Sequence, residues 1–228
     1  MPLFAISDVH LSFSSDKPMD IFKGWENYVS RLENNWNKVV SDDDIIVISG
    51  DISWAMKLKD VEADFSFLNN LKGQKIIIKG NHDLWWDTMS KMNSFISEKN
   101  FNTIRILHNN MYPYGKFGIC GTRGWCVEEG SGDEKILNRE AARLEKSITD
   151  ALNENLEPIV FLHYPPVCVG TSCEVITSVL KKYNIKRCYY GHIHGSGAHR
   201  AFCGELEGIK YRLISCDTND FTPILIET

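Results

Sequence analysis

Short apolar runs alternate with longer amphipathic stretches along this chain. Leu3-Phe4-Ala5-Ile6, Asp44-Ile45-Ile46-Val47-Ile48-Ser49 and Lys75-Ile76-Ile77-Ile78-Lys79 read as buried strands, because β-branched runs this short and this continuous suit strands covered on both faces. Between them, apolar residues recur at helical spacing. Trp25, Val29, Leu32, Trp36 and Val39 predict a helix over about 24–40, and Phe65 and Leu68 predict another over about 61–71. A third, carrying Met89, Met92 and Ile96, is expected over about 88–99.

After Phe101 the texture changes. Residues 104–107, 111–114 and 117–121 read as strands joined by Asn-Asn and Tyr-Gly turns. A Gly-rich stretch from Thr122 to Gly132 precedes a long helix over about 134–153. Pro158-Ile159-Val160-Phe161-Leu162 reads as a buried strand. A helix over about 172–183 then leads into a strand, Arg187-Cys188-Tyr189-Tyr190. The tail from Arg200 to Ile226 reads as strands with turns at Gly204, Gly208 and Thr218-Asn219-Asp220. The order βαβαβ, a β-rich middle, then βαβ with further strands predicts two packed sheets with helices outside.

Composition adds bounds. The 228 residues suit one domain, expected over 1–228, and 43% hydrophobic residues are enough for a substantial core. A net charge of −5 offers no surplus to neutralise a nucleic-acid backbone, which argues against a nucleic-acid partner. The seven cysteines are odd in number and lack a Cys-x-x-Cys pair, so reduced thiols and a cytoplasmic location are expected. No signal peptide and no apolar run of membrane-spanning length is evident.

The chemistry lies at the strand ends. Five runs finish in residues of metal-binding type: Asp8 and His10; Asp51; Asn81; His163; His192 and His194. The i, i+2 spacing places Asp8 and His10 on one side of an extended chain. Ligands bind at the carboxyl ends of strands in open α/β sheets, and helices separate these runs in sequence, so the sheet would gather them. Seven ligands exceed the need of one ion and suit two. Mixed carboxylate and imidazole donors favour Mn²⁺, with Fe or Zn as alternatives. Asp51, alone on its strand end, is the candidate bridge. Two ions ~3.5–4 Å apart suit phosphate-ester hydrolysis.

Asp8-x-His10, Gly50-Asp51, Gly80-Asn81-His82-Asp83, His163 and Gly191-His192-x-His194 resemble, in order and type, the five signature blocks of the calcineurin-like metallophosphoesterase family. The resemblance implies a four-layer α-β-β-α sandwich, with two mixed sheets flanked by helices and a binuclear site at the strand ends. It implies that Asp8, His10 and His194 hold one ion and that Asn81, His163 and His192 hold the other, with Asp51 between them. The implied reaction is hydrolysis of a phosphate mono- or diester by a metal-bridging hydroxide. His82 would be the general acid, with Asp83 orienting its ring.

The sequence departs from the Ser/Thr protein phosphatases of that family. Gly50-Asp51 is followed by Ile52-Ser53-Trp54, with no Asp-Arg-Gly, and Asn81-His82 is followed by Asp83, not Glu. Arg123, between Gly121 and Gly124, is the candidate substitute for that branch's phosphate-binding arginine, and Asn81 is a further candidate substrate contact. Trp54 and Trp85-Trp86 could wall a substrate cleft or belong to the core. The expected partner is a small phosphate-ester substrate. A nuclease of the same family and a non-catalytic binding scaffold on the same fold are the alternatives.

Overall fold

The computed structural model describes residues 1–125 and 134–227. The Gly-rich stretch after Trp125, including Cys126, lies outside the described residues. Strands β1 (Leu3–Ile6), β2 (Ile45–Ile48), β3 (Gln74–Ile77) and β4 (Ile104–Ile106) run parallel, connected through α1 (Tyr28–Val39), α2 (Glu62–Asn70) and α3 (Met89–Glu98). A second group follows: β5 (Tyr112–Tyr114), β6 (Phe117–Thr122), α4 (Glu134–Asn153) and β7 (Glu157–Leu162). The hairpin β8 (Val167–Cys168) and β9 (Thr171–Ser172) then leads to α5 (Glu174–Lys182) and β10 (Arg187–Tyr190). The chain closes with β11 (Gly204–Leu206), β12 (Ile209–Leu213) and β13 (Ile224–Glu227).

The first sheet has the order β13-β1-β2-β3-β4, with only β13 antiparallel to its neighbour. The second is β11-β12-β10-β7-β6-β5, with antiparallel β11 and β5 at its edges. Both sheets are therefore mixed. Between β11 and β12, Glu207 and Gly208 both take positive φ (52° and 77°), as a two-residue hairpin turn requires.

Side-chain alternation builds the layers. Phe4, Ile6, Ile46, Ile48 and Ile77 pack under α1, α2 and α3 with Leu32, Trp36, Phe65 and Met92. Their neighbours Leu3, Ala5, Val47 and Ile76 face the other way, against Phe117, Ile119, Ile159 and Phe161 of the second sheet. The opposite parity there, Cys120, Val160, Leu162 and Cys188, packs under α4 and α5 with Leu144, Ile148 and Leu180. This is the four-layer α-β-β-α sandwich.

Element ends differ from the sequence reading by a few residues. The first helix starts at Tyr28, because Asn27 takes a left-handed conformation (φ 54°) just before it. Trp25 thus lies outside the helix, buried against Tyr28 and Phe221. The helix over 61–71 is α2 preceded by a 3-10 turn, Leu58–Val61. Among the described residues no helix is long and apolar enough to cross a membrane.

Phe161 is fully buried between the sheets and stacks on Tyr189 at 5.3 Å. Phe161→Ala is expected to lower the unfolding free energy by about 3–5 kcal/mol, measured by urea denaturation with an unchanged m-value.

Candidate metal centre

The seven predicted ligands converge on one rim, at the carboxyl ends of β1, β2, β3, β7 and β10. The local backbone explains how. Asp8 (φ 60°), His10 (φ 44°), Asp51 (φ 51°) and His192 (φ 69°) all adopt the left-handed conformation, which Asp and His tolerate better than most residues. The chain after β1 is therefore not extended, contrary to the sequence expectation. Asp8 and His10 still share one side, while Val9 and Leu11 enter the core under the helices.

The loops also pack directly against one another. A Cβ on Gly80 would lie 2.1 Å from the amide nitrogen of Asp51, and one on Gly191 would lie 2.0 Å from Ser7 Oγ. Only glycine fits at either place, so the glycine before each of these ligands reflects close approach of two loops.

The ligand atoms fall into two groups, each within 4.8 Å: Asp8, His10 and His194, and Asp51, His163 and His192. Asn81 joins the second, with its Oδ1 2.6 Å from His163 Nε2 and 3.0 Å from His192 Nδ1. Asp51 lies between the groups. Its Oδ2 is 3.7 Å from His10 Nε2, and its Oδ1 is 3.5 Å from His163 Nε2.

Each group draws on both sheets. Asp8, His10, Asp51 and Asn81 follow strands of the first, and His163, His192 and His194 follow strands of the second.

The donor chemistry fits cations. Asp8, His10, Asp51 and His163 are all essentially inaccessible to solvent. Both ring nitrogens of His10 are buried without a hydrogen-bond partner among the described residues. His163 Nδ1 donates to the Ser49 carbonyl at 3.0 Å, which leaves Nε2 as a lone pair directed at the oxygens of Asn81 and Asp51. Burial pushes the carboxyls of Asp8 and Asp51 up, and in Asp51 the charge of Asp83 adds to it. Burial likewise lowers His10, His163 and His192, the last to about 3, with neighbouring imidazoles adding to the effect in His10 and His192. Lone pairs that converge in a buried space, with the protonated imidazoles of His10, His163 and His192 disfavoured, are matched by positive ions.

His82 stands apart. Its side chain is 42% exposed, its ring lies 4.4 Å from that of Trp54, and its Nε2 is 4.0 Å from Asp51 Oδ2. Its backbone amide donates to Asp51 Oδ1 at 2.8 Å. Asp83 does not orient the His82 ring, which corrects the sequence expectation. Its Oδ1 accepts from the amides of Ile52 (2.8 Å) and Ser53 (3.1 Å) and from Trp85 Nε1 (3.0 Å), and its Oδ2 accepts from the Gly80 amide (2.7 Å). Fully buried and saturated by donors from both sides, Asp83 ties the Asp51 loop to the Asn81 loop.

The tryptophans divide by role. Trp54 stacks on His10 at 5.0 Å and 18°, beside the ligands, while Trp85 is buried in the core. Arg123 is not among the converging ligands, although its backbone is bonded to one of them. Its carbonyl accepts the amides of His163 (3.2 Å) and Tyr164 (2.8 Å), and its guanidinium lies 3.9 Å from Glu140 and 4.6 Å above the Trp125 ring.

Several supporting groups were not identified from the sequence. Ser215 Oγ donates to Asp8 Oδ2 at 2.8 Å, Cys216 Sγ contacts the Asp8 carbonyl at 3.0 Å, and the His192 amide donates to the same carboxylate at 2.9 Å. The available signal was position: Ser215 and Cys216 follow β12 as the ligands follow other strands.

The model of the calcineurin-like phosphoesterase family matches residues 1–196. A protein of Xenorhabdus bovienii described as a probable cyclic nucleotide phosphodiesterase is 28% identical over 217 residues, covering 85% of this chain and 78% of that protein. Among solved structures, the protein TT1561 of Thermus thermophilus (TM-score 0.56, 14% identity, 99% of this chain and 97% of that one) shares the fold. So does the phosphopantetheinyl hydrolase of Mycobacterium tuberculosis (TM-score 0.53, 14% identity, 99% and 95%).

Asp83→Asn would set an amide NH₂ against donors that now meet carboxylate oxygens. A loss of about 2 kcal/mol and a fall in Tm of about 4–8 °C are expected by calorimetry; an unchanged Tm would contradict the bracing role. The family match over most of the length and the converging donor groups lead to one assignment: this chain belongs to the calcineurin-like phosphoesterase family, whose members work with divalent metal ions.

Proposed function

We propose that the protein hydrolyses a small phosphate ester at a two-metal centre. The observation that carries this is Asp51, whose two carboxylate oxygens face different ligand groups. Asp8, His10 and His194 would hold one ion, Asn81, His163 and His192 the other, with Asp51 shared. Bound there, two divalent cations supply a water of lowered pKa and neutralise charge on the phosphoryl oxygens. Manganese fits the mixed oxygen and nitrogen donors, with iron and zinc as alternatives. The similarity to the probable cyclic nucleotide phosphodiesterase of Xenorhabdus bovienii supports a diester among the candidate substrates. Free thiols at the buried Cys120, Cys188 and Cys216 support a reducing, cytoplasmic setting.

The chain's own groups do the rest. Asp8 is held by Ser215 and the His192 amide, so its oxygens are fixed before any ion arrives. His82 is the titratable side chain of this rim that faces solvent beside the ligands, supported by Trp54 rather than by a carboxylate. In this reading it gives a proton to the departing oxygen of the substrate. Asn81 is placed to serve as a ligand and to line the same opening.

Chelation should abolish hydrolysis of bis(p-nitrophenyl) phosphate and p-nitrophenyl phosphate, and Mn²⁺ should restore at least one; equal rates in the stripped protein would refute the two-metal reading. His82→Ala is expected to reduce kcat for alkyl phosphates about 10²–10⁴-fold, and much less for p-nitrophenyl esters, whose leaving group needs little protonation. Equal losses on both, measured in steady state, would remove His82 from the acid role.

A further inference from the structure

A second cleft, of about 460 Å³, opens beside the candidate metal centre. It lies at the carboxyl ends of β3, β4 and β6, between α3 and α4. Four cationic side chains line it: Lys79 after β3, Arg123 after β6, and Arg139 and Arg143 on α4. Two carboxylates also line it, and both are engaged. Glu140 is fully buried, accepts from Thr122 Oγ1 at 2.5 Å and from Arg143 at 2.6 Å, and lies 3.9 Å from Arg123. Asp87 is held by Lys91 at 2.9 Å. Trp86 and His108 form one wall, with ring centroids 6.1 Å apart.

Burying Glu140 is costly unless its charge is met, and here it is met by two guanidinium groups. The effect is to hold Arg143 and Arg123 in place. Guanidinium forks fixed at the edge of a hollow are preorganised for an oxyanion. Arg123 Nε is buried with no hydrogen-bond partner among the described residues, so a donor remains to be used. The cleft is also tied to the metal ligands through the backbone. Lys79 is two residues before Asn81, so their Cα atoms are at most ~7 Å apart, and the Arg123 carbonyl accepts the amide of His163.

We propose that this cleft binds a phosphate group other than the one hydrolysed, held by Lys79, Arg123, Arg139 and Arg143. That phosphate has two sources: a second phosphate on the substrate, or free inorganic phosphate. The first source rests on the phosphoesterase reading; binding itself does not.

Calorimetric titration of pyrophosphate into chelator-stripped protein tests the binding without competition from metal ions. Salt-sensitive binding is expected, and Arg139→Glu, at an exposed helical position, and Lys79→Met should each weaken it at least about tenfold. Asp51→Asn, which alters the metal centre, should retain it. No binding by the stripped wild type at millimolar pyrophosphate, or wild-type affinity in both cleft variants, would overturn the proposal. Reconstituted enzyme then separates the sources. A lower KM for adenosine 3′,5′-bisphosphate than for adenosine 5′-monophosphate, lost in Arg139→Glu, assigns the cleft to the substrate; equal KM values assign it to free phosphate. A protein that binds pyrophosphate yet hydrolyses neither nucleotide and neither p-nitrophenyl ester would refute the phosphoesterase reading and leave the cleft standing.

Discussion

The seam between the two sheets is the constraint on which this rim depends. At the end of β1 the Ser7 amide donates to the Ile214 carbonyl at 2.9 Å, and the Ser7 carbonyl accepts from the Cys216 amide at 2.9 Å. Ser215 between them reaches Asp8. A parallel bridge thus joins the first sheet to the second where the candidate ligands begin. Since each ligand group takes residues from both sheets, a shift of one sheet on the other would disperse both groups together. The apolar layer between the sheets, with Val47, Ile76, Ile119 and Phe161, therefore acts on function as well as stability. Close packing there transmits displacement instead of absorbing it.

Burial of charge accounts for much of the local construction. Asp51 would be expensive to keep ionised in this environment, and the chain offers it backbone donors and the prospect of cations. The His82 amide occupies one of its oxygens. Asp83 sits nearby and is equally buried, yet it has four donors of its own. Two adjacent buried carboxylates thus serve different ends: one is saturated by the protein and braces the loops, and the other is left under-satisfied and open to a cation. Asp51 rather than Asp83 is therefore the carboxylate we propose as a metal ligand.

The fold, and the convergence of the candidate ligands on one rim, were largely legible in the sequence, because both rest on local patterns that survive folding. Runs such as 45–48 and 159–162 are apolar at every position since each face meets a different layer, and the polar residue that follows marks where the layer ends. The role of Asp83 was not legible. Its place beside His82 in the chain suggested a pair, whereas the fold turns it towards the amides of Ile52 and Ser53, about 30 residues away in sequence. Ser215 escaped notice for a similar reason: a serine after a strand carries no chemical signal until the opposing strand end is known. Trp54, Trp85 and Trp86 were equivalent as letters, and only burial separates the one that supports His10 and His82 from the one that fills the core.

Arg123 shows that the backbone and the side chain of one residue can serve different surroundings. Flanked by glycines after a strand, it had the setting of a phosphate contact at the metal centre. Its carbonyl does serve that centre, by fixing the amides of His163 and Tyr164. Its guanidinium points to different surroundings, where Glu140, Arg143 and Trp125 determine its position. One residue thus supports two neighbouring sites with opposite electrostatic logic, lone pairs awaiting cations on one side and guanidinium donors awaiting an anion on the other. A substrate carrying two anionic groups a short distance apart would meet both. If the proposed cleft takes a second phosphate of the substrate, sites of opposite polarity connected through the same short stretch of backbone would set the distance between its two anionic groups.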